Sequence, residues 1–351
     1  MKKYYTRACN FYYGTTSKNL IKKKITLPLA GSKSISFNNI EIFIRQNKTV
    51  KSKIINIKDI KNQNNKLRKK LNDDLKKIVS KRKYFNEPMI MGILNMTPDS
   101  FSDGGKFIKK KSALTQINKM IESGANIIDV GGESTRPGSV TISFQDEWAR
   151  IGSIIKIFKK KYPRTLLSID TRKSEIIKKS INYKTDIIND VSGFNFDKQS
   201  ILEVKNKNLW KVVHHMKGTP ATMQVNPKYN NVLLDIYDFF ENKIKSILKE
   251  KKYADKIIID PGIGFGKNLK HNLMLLSKIS LFHSLGFPIL IGTSRKRFIS
   301  EISGNFDTKE RIGGTLSSIT FTLSQGVQIF RVHNVEEVKQ GIEVYKKILN
   351  Q

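Results

Sequence analysis

Cysteine is almost missing from this chain. Cys9 is the one example among 351 residues, so no intrachain disulfide can form. That composition fits a reducing compartment, and a cytoplasmic location is expected. Long apolar runs are missing too. No stretch approaches the ~20 residues that span a bilayer as a helix. Lys2 and Lys3 are followed by TRACNFYYG rather than by the apolar core of a signal peptide, so no membrane partner is expected. Acidic residues are scarce: Lys+Arg number 64 and Asp+Glu 30, a net charge of +34. Residues 1–86 hold 23 basic and 4 acidic side chains, which leaves 64 − 23 = 41 and 30 − 4 = 26 for residues 87–351. Basic clusters can attract nucleic acid or anionic lipid. Here a Lys/Ile/Asn-rich composition, with Lys filling solvated surface, accounts for the charge. No RNP-like aromatic motif is present, so nucleic acid is not an expected partner. A basic field does suit an enzyme with polyanionic substrates. No repeat of solenoid type is present.

What the chain does have is one pattern used eight times. A short apolar run ends abruptly in polar, Gly-rich residues: MIMGIL in NMTPDSFSDGG, NIIDV in GGESTRPGS, LLSI in DTRKS, DIIN in DVSG, KVVH in HMKGTP, KIIID in PGIGFGK, PILIG in TSRKRF, and QIFRV in HN. The runs predict strands at 89–94, 126–130, 165–169, 186–189, 210–214, 256–260, 288–292 and 327–332. Segments of helical period predict helices at 112–123, 144–161, 173–182, 198–206, 231–252, 270–285, 294–303 with 308–324, and 335–349. Eightfold strand–helix alternation predicts the α/β class and a (β/α)8 TIM barrel, in which all strand C-termini face one mouth. A doubly wound open sheet is the competing architecture. A barrel takes roughly 250 residues, so residues 87–351 are assigned to it and residues 1–86 to a basic N-terminal extension. Within the extension, short β-like pieces fill 4–50. The charged stretch 51–83 is expected to form a helix, with a linker near 84–88.

The strand ends carry the chemistry. DPGIGFGK resembles a phosphate loop but fails the Walker A pattern: Gly262 and Gly266 are one residue too close, and Asn268 replaces the hydroxyl. Its glycines are expected to turn the backbone tightly behind Asp260. His214–His215 lacks a third ligand at zinc spacing. Ser294-Arg295-Lys296-Arg297 after the seventh run, with Arg331 and His333 at the eighth, forms the phosphate-binding corner typical of such barrels. Opposite stand Asp170, Asn189, Asp190 and Asp260, which suit a heterocycle rich in N–H donors and ring-nitrogen acceptors.

Together, MGILNMTPDSFSDGG, DVGGESTRPGS, SIDT, INDVSG, HMKGTPATMQ, DPGIGFGK, SRKRF and RVHNV resemble the dihydropteroate synthase family, in order and across nearly all of residues 91–335. The first two motifs are the most specific. Met96 replaces the usual Val and Asn334 the common Asp. The resemblance implies a transferase of folate biosynthesis, the target of sulfonamides. Such enzymes join 6-hydroxymethyl-7,8-dihydropterin diphosphate to p-aminobenzoate, giving 7,8-dihydropteroate and pyrophosphate. It also implies residue roles. Asp170, Asn189, Asp260 and Lys296 hold the pterin, with Met216 on a ring face. Asn95 ligates Mg²⁺ with help from Asp103. Thr135, Arg136, Arg331 and His333 lie near the diphosphate, and Lys296, Arg331 and His333 are the expected catalytic set. Phe101, Pro137, Phe265, Ser294 and Arg297 border the aminobenzoate. The Gly-, Ser- and Pro-rich loops 95–106 and 132–140 are expected to act as mobile lids, and a homodimer is the expected assembly. The alternatives are a methyltetrahydrofolate-dependent corrinoid methyltransferase, which would need no diphosphate corner, and an RNA-associated or catalytically retired barrel.

Overall fold

The computed structural model of the chain describes residues 2–97, 106–136, 138–248, 255–304 and 307–349. Its first part is an antiparallel sheet of β1 (Lys2–Tyr13), β2 (Leu27–Leu29), β3 (Ser32–Gln46) and β4 (Thr49–Asn56), with helices α1 (Gly14–Lys22) and α2 (Asn65–Val79). Strand β3 is central: Lys2–Tyr13 pairs along it from Gln46 to Ile35, and β2 and β4 share its other edge. Alternation gives the sheet two buried faces. Ala8, Phe37, Ile40 and Ile42 pack on Leu67, Leu71 and Ile78 of α2. Tyr5 and Phe43, on the other face, join the core of the barrel.

The expected helix over 51–83 is corrected here. Residues 51–56 belong to strand β4, 57–62 form a 3-10 turn, and the helix begins only at Asn65, capped by Asn64 Oδ1 accepting from Leu67 N at 3.0 Å. The Ile54, Ile57 and Ile60 spacing looks helical, but Ile54 is held in strand pairing with Glu41 of β3, and Ile57 and Ile60 fall in the 3-10 turn that follows.

The second part is eight parallel strands: β5 (Met89–Asn95), β6 (Ile127–Gly131), β7 (Leu166–Asp170), β8 (Ile187–Asp190), β9 (Trp210–His214), β10 (Ile257–Asp260), β11 (Leu290–Ile291) and β12 (Ile329–Val332). The order is β10-β9-β8-β7-β6-β5-β12-β11, and an Ile259–Ile289 bridge joins the two ends. This is the expected TIM barrel. Strands buried on both faces require continuous Ile/Val/Leu runs, which is what the eight runs are. Met91, Ile127, Ile187, Val212, Ile258, Leu290 and Ile329 form one inner cluster, and Phe85 meets Trp210 edge-on within it at 4.8 Å. Phe85 is 1% exposed, so the expected linker near 84–88 includes a core residue.

The outer layer comprises α3 (Lys106–Glu122), α4 (Phe144–Lys161), α5 (Ser174–Ile181), α6 (Ser200–Val204), α7 (Val232–Leu248), α8 (Leu269–Ser277), α9 (Arg297–Ser303), α10 (Ile312–Leu323) and α11 (Val335–Leu349). The helix expected over 270–285 divides into α8 and a wholly buried 3-10 segment, Ile279–Leu285. The sheet docks against that segment and α7. Ser280 Oγ donates to Ala8 O at 2.9 Å, Lys278 pairs with Glu41 at 2.8 Å, and Lys3 pairs with Asp238 at 2.7 Å and Glu241 at 2.8 Å.

Candidate active site

Strand register aligns the mouth. Asn95 lies beside Gly131, Gly131 beside Asp170, and Asp170 beside Asn189, so three expected site residues occupy one row at the C-terminal ends of β5, β7 and β8. Asp129, two residues before Gly131, sits deeper in the barrel. Arg331 reaches across from β12 and spans both levels: Nε donates to Asp129 Oδ2 at 2.6 Å and Nη2 to Asp170 Oδ2 at 2.8 Å. Ser168 Oγ donates to the other Asp129 oxygen at 2.5 Å, and Asn189 Nδ2 to Oδ2 at 3.2 Å. Burial pushes the Asp170 carboxyl up to about 7, against the pull of Arg331 and with the repulsion of Asp129. Among the described residues, the buried atoms Asn189 Oδ1, Asp190 Oδ2 and Thr293 Oγ1 have no hydrogen-bond partner. Buried acceptors normally find one. Asp190 Oδ1 accepts from Ser192 N at 2.7 Å and Ser192 Oγ at 2.6 Å, while burial lifts the carboxyl to about 6.

The β10 side is held by its glycines. Gly262 has φ +69°, and a Cβ there would lie 2.0 Å from His215 O. Only glycine permits that approach, which lets Gly262 N donate to Asp260 Oδ1 at 2.8 Å. Burial raises Asp260 to about 6. His214 stays neutral, held far below its ordinary range by burial and by Lys267. Its Nδ1 lies 2.9 Å from Val191 O, so that nitrogen carries the proton. Phe265 meets His214 edge-on at 4.6 Å and lies under Lys296 Nζ, 4.0 Å from its ring centroid. Burial and then Arg331 push Lys296 down to about 8. A buried lysine that the motifs assign no role, Lys267, donates to Phe265 O at 2.8 Å and lies 3.1 Å from His215 Nδ1. Among the described residues, no group of three or more His, Cys, Asp or Glu could hold a metal ion.

At the expected phosphate corner, Ser294 Oγ lies 3.1 Å from His333 Nδ1 and accepts from His333 N at 3.2 Å. Burial and the cations Arg295, Arg331, Lys296 and Arg136 push His333 down to about 3, so it is neutral. Arg295, at φ +59°, donates twice to Asn334 Oδ1, at 2.8 and 3.1 Å. The helix expected from 294 starts at Arg297. That side chain is 82% exposed and pairs with Glu301 on its own helix. Thr135 is half-buried and Arg136 exposed in the loop after β6, and Met216 is half-buried after β9. Phe101, Asp103 and Pro137 lie outside the described residues.

Two features were not read from sequence. Asp129 is one; a carboxylate inside the apolar NIIDV run was its signal. The other is a buried network at the base of the β6 loop. Glu133 pairs with Arg172 at 2.6 Å and Lys173 at 2.9 Å, Lys173 pairs with Glu147 at 2.7 Å, and Ile142 N donates to Glu133 Oε1 at 3.0 Å. It closes the loop bearing Thr135 and Arg136 and fixes it to the start of α5.

Comparison with known proteins adds to this geometry. The family model described as pterin binding enzyme matches residues 91–333. A dihydropteroate synthase of Escherichia coli K12 is 37% identical over 265 residues, covering 76% of this chain and 93% of its own length. The Yersinia pestis dihydropteroate synthase, solved with a sulfonamide drug complex, aligns with a TM-score of 0.71 at 34% identity, over 76% of this chain and 96% of its own. The Xanthomonas albilineans dihydropteroate synthase in complex with 7,8-dihydropteroate aligns with a TM-score of 0.68 at 28% identity, over 75% and 94%.

Proposed function

The chain belongs to the pterin-binding enzymes and, within them, to the dihydropteroate synthases, and from that premise we infer how its residues carry the reaction. The chain is a transferase that joins 6-hydroxymethyl-7,8-dihydropterin diphosphate to p-aminobenzoate. The observation that carries the residue assignment is the cluster of buried polar groups at the mouth, fixed around Arg331 and with acceptors still open at Asn189 and Asp190. A heterocycle with several N–H donors completes those hydrogen bonds. Asp170, Asn189 and Asp260 accept from the pterin, and Lys296 donates to it. Met216 borders a ring face. Phe265, the turn at Ser294 and the lid residues Phe101 and Pro137 border the aminobenzoate.

In the reaction the methylene carbon–oxygen bond breaks and its electron pair leaves with pyrophosphate. The amine nitrogen forms the new carbon–nitrogen bond and releases one proton. Arg331, oriented by two carboxylates, together with Arg136, Thr135 and His333 as neutral donor, meets the charge that grows on the departing group. Asn95 and Asp103 are hard oxygen donors suited to Mg²⁺, which takes few protein ligands and completes its shell with water and phosphate oxygens. When bound, that ion supplies positive charge at the leaving group. The chain acts in the cytoplasm, as its single cysteine supports, and as a homodimer, supported by exposed Leu273, Met274 and Phe321 on α8 and α10. Sulfonamides, as aminobenzoate mimics, compete for its second substrate, a reading supported by the Yersinia pestis complex. The test supplies the folded, purified chain with both substrates and Mg²⁺. Dihydropteroate and pyrophosphate should form one to one, and absence of both would refute the assignment.

A further inference from the structure

The front sheet touches the barrel at several points, and one of them leads toward the mouth. Arg45, on β3, pairs with two carboxylates of α7: its Nη1 donates to Asp238 at 2.9 Å and its Nη2 pairs with Asp235 Oδ1. The second oxygen of Asp235 turns back over the helix start, accepting from Asn230 N at 2.9 Å and Asn231 N at 3.2 Å. Asn231 caps the same turn, its Oδ1 accepting from Leu234 N at 3.1 Å. Arg45 therefore orients the carboxylate that fixes the last residues of the β9–α7 loop. That loop reaches the β10 loop through Tyr229, whose hydroxyl donates to Gly266 O at 2.9 Å. Gly266 follows Phe265 directly, and both glycines flanking Phe265 have positive φ, so the ring's place depends on what holds this short backbone. Other polar anchors of the sheet do not reach Asp235. Lys3 and Tyr5 meet Asp238, which they share with Arg45, Lys3 also meets Glu241, and Arg7 meets Ser280.

We propose that the front sheet buttresses the active site, with Arg45 as a positioning residue that holds Phe265 through Asp235, the 230–231 amides, Tyr229 and Gly266. The proposal rests on the reading of Phe265 as the aminobenzoate border of a dihydropteroate synthase. Because Arg45 acts on the second substrate's side, its loss raises KM for p-aminobenzoate while kcat and KM for the pterin diphosphate stay nearly constant. Loss of one relayed ionic contact should raise that KM about 3- to 10-fold.

The test uses the full-length chain, first confirming that the wild type makes dihydropteroate. Failure there refutes the functional reading itself. Steady-state constants for both substrates and the melting temperature are then measured for Arg45→Ala, Arg45→Lys, Tyr229→Phe and Lys3→Ala. Arg45→Ala and Tyr229→Phe should both raise the aminobenzoate KM selectively, and Arg45→Lys should recover part of it. Lys3→Ala, which loosens the same sheet without touching Asp235, should lower the melting temperature and leave that KM unchanged. An unchanged KM in a folded Arg45→Ala variant, or an equal rise in Lys3→Ala, overturns the proposal. If Arg45→Ala does not fold, an unchanged KM in Tyr229→Phe does so.

Discussion

Replacing Arg331 by Met keeps the bulk of the side chain and removes its charge. Asp129 is fully buried and Asp170 is 6% exposed, so the variant leaves two carboxylates in the barrel without their cation. Removing one partner of a buried ion pair costs about 3–5 kcal/mol. With an unfolding entropy of about 2.1 cal/mol/K per residue, a chain of 351 residues loses roughly 1.4 °C per kcal/mol, or about 4–7 °C in melting temperature. The loss depends on pH, and its sign follows from Asp170. Burial already holds that carboxyl up to about 7 despite the neighbouring guanidinium, and without Arg331 it rises further. A carboxyl raised above its unfolded value contributes its full stability below that unfolded value, and loses it as pH rises through the folded one. The deficit against wild type should therefore be largest near pH 8 and shrink near pH 5.5. Thermal unfolding of both proteins at the two pH values measures it. Adding Asp129→Asn should recover part of the loss, because one of the two stranded carboxylates is then gone. Equal deficits at both pH values, or one below about 1 kcal/mol, would refute the ion-pair argument.

The profile of kcat/KM, which reports the free enzyme, should be bell-shaped. Activity rises as Asp260 and Asp170, lifted by burial to about 6 and about 7, ionise to accept from the pterin, and falls as Lys296, lowered by burial to about 8, loses its donor proton. Lys296→Arg should remove the alkaline limb, and a limb that persists would mean another group sets it. Gly313 is an exposed residue of α10 with an ordinary helical backbone, and a Cβ added there would meet nothing within 4 Å. Gly313→Ala should therefore stabilise the chain by about 0.5–1 kcal/mol, and denaturant unfolding showing destabilisation would count against the described packing there.

Legibility in the sequence followed distance along the chain. Helix α4 begins where the sequence pattern places it because Ser143, next to Phe144, carries its own local signal: Ser143 Oγ accepts from Asp146 N at 3.1 Å. Asp170 and Asn189 were legible because each closes an apolar run, and parallel register then sets them side by side. The Arg331–Asp129 pair was not legible, because it joins residues 202 apart and exists only once β12 closes against β5. His214 and His215 are neighbours in sequence but diverge in space, as successive residues at a strand end do. The first turns toward Phe265 and the second toward Phe239 and Lys267. Arg297 shared a basic cluster with Lys296, yet the start of α9 between them sends one side chain inward and the other to solvent. Strand β4 was hidden because its local spacing is helical, and only pairing with β3 decides otherwise.

The order in which these parts are made has a consequence of its own. The sheet leaves the ribosome first, but the surfaces it docks against come much later: Arg45 waits 193 residues for Asp238, and Ala8 waits 272 for Ser280. At roughly 5–20 residues per second, the barrel-facing side of the sheet, with Tyr5 and Phe43, stays uncovered on the nascent chain for about 10–55 s. During translation the apolar side formed by Tyr5 and Phe43 therefore has no barrel surface to cover it until the second half of the barrel has been synthesised.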